Sequence, residues 1–87
     1  MSTDHVELMP VHVQLFGRYR DVAADEGVML QMPRGATVAD LVSELHERLP
    51  DQLPERPTIA INRRQAMDDQ VLEASDEIAL IPPVAGG

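Results

Sequence analysis

Eighty-seven residues without a cysteine, with 15 acidic groups against 7 basic ones and a net charge of −8, set narrow bounds. A chain this long makes one domain that buries roughly 60–65 % of its unfolded surface, leaving little room for an internal pocket and a full catalytic constellation together. The missing thiols exclude disulfides, thiol catalysis and iron–sulfur clusters, and the negative surface excludes nucleic acid and anionic membranes while favouring a basic protein partner.

The first ten residues, "MSTDHVELMP", carry acids, no basic start and no long apolar run. They predict neither a signal peptide nor a membrane span, so a cytoplasmic protein is expected, with residues 1–10 as a flexible lead-in. Val11, Val13 and Leu15 alternate with His12, Gln14 and Phe16, which predicts a strand with the aliphatic set inward. Gly17 punctuates it, and Arg18–Ala24 is polar with room for one helical turn. Asp25-Glu26-Gly27 turns the chain into a second strand with Val28, Leu30 and Met32 inward.

Pro33-Arg34-Gly35-Ala36 is a turn, and Thr37 with Asp40 makes a capping-box-like helix start. Val38, Leu41, Val42, Leu45 and Leu49 then form one apolar stripe, and Pro50 ends the helix. Ile59 and Ile61 mark a third strand, and Asn62 opens a tight turn into a short return strand at Gln65-Ala66. Val71 and Leu72 read as loop residues that plug the core, and Glu77–Ile81 as the last strand, stopped by Pro82-Pro83. The order β-β-α-β-(β)-β predicts an α+β fold of the β-grasp, ubiquitin-like kind. A mixed sheet is covered on one face by one main helix, and the last strand enters parallel to the first at the sheet centre. Residues 11–81 form the domain and 82–87 an extended tail.

Ordinary chemistry is hard to find. His5, His12 and His46 are scattered, Asp68-Asp69 is a solvated loop pair, and Ser43 and Ser75 lack a base. No phosphate loop, zinc motif or paired-carboxylate cleft appears. No stably bound cofactor and no metal site are expected.

The ending "Pro82-Pro83-Val84-Ala85-Gly86-Gly87" has two readings, a frayed glycine-rich end or a reactive one. The prolines stiffen the exit from the sheet, and six residues reach at most about 20 Å. Val84 and Ala85 offer a small apolar grip, and the Cβ-free glycines pass through a narrow channel. A free carboxylate on Gly87 is a poor sulfur donor until ATP adenylates it and a sulfur nucleophile displaces AMP to leave a thiocarboxylate. The tail, with Gly87 as the reactive end and Gly86 threading the channel, is the place where chemistry is expected.

The segments "Val13-Gln14-Leu15-Phe16-Gly17-Arg18-Tyr19-Arg20-Asp21", "Gly35-Ala36-Thr37-Val38-Ala39-Asp40-Leu41" and "Asp76–Gly87" resemble the MoaD/ThiS family of sulfur carriers, a likeness covering Val11–Gly87. The resemblance implies a protein that is not catalytic by itself but serves as the small subunit of a sulfurtransferase. An E1-like adenylating enzyme would activate Gly87 with ATP, and a sulfur donor protein would supply the sulfur. The tail would then enter the large subunit of molybdopterin synthase, on the way to the molybdenum cofactor. Other outcomes of the same resemblance are sulfur transfer to the thiamine thiazole or a cysteine precursor. Conjugation as a ubiquitin-like modifier, or a binding module without chemistry, stand beside them. All seven basic residues are arginine, so no lysine is present to accept an isopeptide bond. Arg63 and Arg64 stand where many relatives carry a turn glycine, which predicts a change of turn type. Alternation places Phe16, Ala79 and Ile81 on the sheet face opposite the helix, as an apolar partner-binding patch beside Pro82–Ala85.

Overall fold

The computed structural model describes residues 7–17, 19, 27–49, 53–54 and 56–81. Strand β1 (Leu8–Leu15) alternates outward and inward without a break, burying Met9, Val11, Val13 and Leu15. It therefore begins three residues before the expected domain start at Val11. Met9, placed in the lead-in by sequence, is a core residue only 2 % exposed. Pro10 is tolerated for a geometric reason. The Glu7 carbonyl accepts the Arg34 amide, so pleat alternation turns the backbone of Pro10 away from β2. On that other side β1 has a partner, among the described residues, only at Val13–Leu15. The missing proline donor costs the sheet no ladder bond.

β2 (Gly27–Pro33) runs antiparallel to β1 with Met9 opposite Met32 and Val11 opposite Leu30. It buries Leu30 and Met32, while Val28 is half-buried. The chain then reverses through Pro33-Arg34-Gly35-Ala36, closed by the Ala36 amide donating to the Pro33 carbonyl at 3.0 Å. Gly35 has φ +89°, the left-handed value that the third position of a type II turn requires.

Helix α1 (Val38–Arg48) starts on the expected capping box. The Thr37 amide donates to Asp40 Oδ2 at 2.9 Å, and the Asp40 amide donates back to Thr37 Oγ1 at 3.4 Å. Aspartate thus does the work usually given to glutamate. Val38, Leu41 and Leu45 are fully buried, and Val42 and Leu49 flank them, partly buried against the same core. Leu49 caps the end, its amide donating to the Leu45 carbonyl at 2.8 Å. Pro50, expected to stop the helix, lies outside the described residues, as does most of Arg18–Ala24.

β3 (Thr58–Ile61), β4 (Arg64–Gln65) and β5 (Ile78–Ile81) complete a five-stranded sheet of order β2-β1-β5-β3-β4. β5 enters parallel to β1, with Val13, Gln14 and Leu15 opposite Ile78, Ala79 and Leu80, and antiparallel to β3. Ile59, Ile61, Ile78 and Leu80 join the inward set beneath α1. The 66–72 loop is stitched to the helix start. The Val38 amide donates to Gln70 O at 2.9 Å, and the Leu72 amide donates to Ala36 O at 2.8 Å. Of the two residues expected to plug the core from this loop, Leu72 does so at 2 % exposure. Val71 is turned out, 49 % exposed, because its strand-like bridge to Thr37 sends successive side chains to opposite sides. Tyr19, within the stretch read as polar, is a core residue at 1 % exposure.

Candidate functional site

The helix covers one face of the sheet, and among the described residues no element covers the other. On the open face the row Gln14, Ala79 and Ala60 runs across β1, β5 and β3, and its two alanines present short side chains. Ile81 follows Ala79 by two residues on the same face, and Phe16 stands just past the end of β1, 41 % exposed. Small residues between larger ones make a depression of about 320 Å³, with Phe16, Ala60, Ala79 and Ile81 as its apolar lining. The three residues expected to share a face therefore do so and line one concavity. Ala60 belongs with them. Its outward place on β3, between the buried Ile59 and Ile61, was readable from alternation.

One edge of the depression is polar, formed by Gln14, Arg63 and Glu77. Arg63 Nε lies 3.7 Å from Glu77 Oε1, with both side chains largely exposed. This edge was not readable in the sequence, because it depends on the β3–β4 turn. Ile61 pairs with Arg64, so Asn62-Arg63 is a two-residue loop. Both have positive φ, 53° and 72°. That is the conformation that Asn-Gly adopts in tight hairpins. Arginine in the glycine position thus does not produce the expected change of turn type. It is held left-handed, at a cost of roughly 1–2 kcal/mol.

The turn is clamped onto the start of β5. The Asn62 amide donates to Glu77 O at 2.8 Å, and the Glu77 amide donates to Asn62 Oδ1 at 3.0 Å. Asn62 Nδ2 donates to Asp76 Oδ1 at 3.1 Å, and Asp76 Oδ2 accepts the Glu73 amide at 2.8 Å. Asn62 therefore fixes both the polar edge and the entry to the strand from which the tail departs. Pro82, Pro83, Val84, Ala85, Gly86 and Gly87 lie outside the described residues; Ile81, opposite Thr58, is the last one placed. Among the described residues no group of three or more His, Asp or Glu stands together as a metal site, and no helix is long and apolar enough to cross a membrane.

A mixed five-stranded sheet with parallel central strands, one helix across one face and a shallow apolar concavity on the other defines a ubiquitin-like β-grasp domain. Its last described strand, β5, lies at the sheet centre. The chain belongs to the ThiS family, whose model matches residues 13–87. It is 28 % identical over 89 residues to the molybdopterin synthase sulfur carrier subunit of Arabidopsis thaliana, covering 100 % of this chain and 93 % of the relative. Its fold is similar to small archaeal modifier protein 1 from Haloferax volcanii. The TM-score is 0.73 at 27 % identity, covering 87 % of this chain and 99 % of that one. It is also similar to a chain in the complex of subunits 1 and 2 of molybdopterin-converting factor from Helicobacter pylori. There the TM-score is 0.65 at 26 % identity, covering 91 % of this chain and 100 % of that one.

Proposed function

We propose that this protein is a sulfur carrier for molybdopterin synthesis, working as the small subunit of molybdopterin synthase. The observation that carries the reading is likeness over the whole chain to a relative of that name, with the family match running through Gly87. The physical arrangement agrees with it. The apolar concavity is lined in part by Ile81, the last described residue before the tail, so a partner seated there would stand next to the tail's first residue.

In this reading an E1-like enzyme docks on the open face and the Gly87 carboxylate attacks the α-phosphate of ATP, releasing pyrophosphate. A hydrosulfide equivalent from a donor protein attacks the acyl carbon, AMP leaves, and Gly87 ends as a thiocarboxylate. The large subunit then takes the same face, so activation and transfer exclude each other in time. Gly86 passes through the partner's channel, and Pro82, Pro83, Val84 and Ala85 hold the approach. Reconstitution tests this. Thiocarboxylated carrier, the large subunit and the cyclic pyranopterin precursor should yield molybdopterin, with Gly87 returned to a carboxylate. No product from loaded carrier would overturn the reading.

A second reading, conjugation as a protein modifier, is favoured by the likeness to the archaeal modifier. It predicts adducts joined through Gly87 in cell extracts, which the carrier reading does not need.

A further inference from the structure

We propose that Arg63 is a specificity-determining residue of the docking face, its guanidinium meeting a carboxylate on the large subunit beside the apolar concavity. The inference rests on the docking reading above. Its starting point is a conformation that the fold does not require arginine to adopt. Arg63 holds φ at 72°, where glycine would be unstrained, and its side chain is 87 % exposed. Its contact with Glu77, at 3.7 Å between two exposed groups, is too weak and too well solvated to account for that placement. Strain retained without a local return is a mark of a functional position. The side chain also lines the concavity together with Ala60, Ala79 and Ile81.

Charge gives the residue a specific task. A carrier with net charge −8 is drawn toward cationic surfaces in general, and that field does not discriminate among them. At the rim of the docking concavity the more exposed Arg63 guanidinium, offset in part by Glu77 at 3.7 Å, interrupts that negative field. It repels a uniformly basic surface and accepts one that sets a carboxylate at that spot. Such a matched group fixes register and rejects wrong partners more than it adds raw affinity. The large subunit should therefore carry a basic surround with an acidic residue opposite Arg63.

The test uses the full-length carrier and the large subunit from the same organism, titrated at low and high salt. Arg63→Gly should raise the melting temperature yet weaken binding about tenfold, mostly at low salt. Arg63→Lys should keep most of the affinity, and Arg63→Glu should bind more weakly than Arg63→Gly. Unchanged affinity in Arg63→Gly, or tighter binding by Arg63→Glu, would overturn the proposal. Ala79→Arg, which fills the concavity, separates the two readings. If it abolishes binding while Arg63→Gly does not, the docking face stands and the role of Arg63 falls. If neither variant weakens binding, both fall.

Discussion

Tyr19 shows what a single residue contributes and what the pattern around it concealed. Its ring is 1 % exposed in the core, and its hydroxyl has no hydrogen-bond partner among the described residues. A buried, unsatisfied hydroxyl costs about 1–3 kcal/mol. Tyr19→Phe should therefore leave stability unchanged or raise it by about 1 kcal/mol in urea denaturation, and a clear loss would show that the hydroxyl is bonded. Nothing in the sequence marked this residue as core, because its neighbours Arg18 and Arg20 are charged and no period runs through them. Met9 escaped for a related reason. Pro10 beside it reads as a breaker, and only the pairing of β1 shows that this proline faces a side with no strand beside it among the described residues. Met9→Ala should cost about 2–5 kcal/mol, as truncation of a buried methionine does. A change within a few tenths of a kcal/mol would place residues 8–10 outside the cooperative fold after all.

At the scale of elements, the helix, the strand order and the parallel entry of β5 beside β1 were legible, and the detail of the β3–β4 turn was not. Helix α1 could be read because Thr37, Asp40 and the Val38–Leu49 stripe lie within one continuous segment. Thr37→Ala should remove the cap and cost about 1 kcal/mol in thermal or urea unfolding, with Thr37→Ser retaining most of it. The open-face patch could be read because alternation in β1 and β5 fixes which residues share a side. The polar edge could not. It needs the Asn62–Glu77 bonds, which join residues fifteen apart, and a left-handed Arg63 that no propensity would assign. Asn62 has the largest role in that link, since it both takes positive φ and closes three hydrogen bonds to the Asp76-Glu77 segment. Asn62→Ala should destabilise by about 2 kcal/mol, from the lost bonds and the strained φ together. It should also weaken docking by loosening the start of β5.

Across the whole molecule the fold divides labour. The helix closes one sheet face into a core, the other face carries a shallow concavity with an apolar lining, and the central strand β5 ends at Ile81, which lines it. In the proposed function such a body binds and positions, and the chemistry belongs to Gly87. Removing Gly87 should thus leave the melting temperature within about a degree, because no core residue is touched, yet abolish activation. The most direct measurement is the intact mass of the carrier after incubation with ATP, the E1-like enzyme and the sulfur donor, followed by fragmentation of its C-terminal peptide. The expected result is one oxygen replaced by sulfur, located at Gly87 and absent without ATP. An unchanged Gly87 carboxylate, in a mixture that converts the carrier of a relative, would contradict the account.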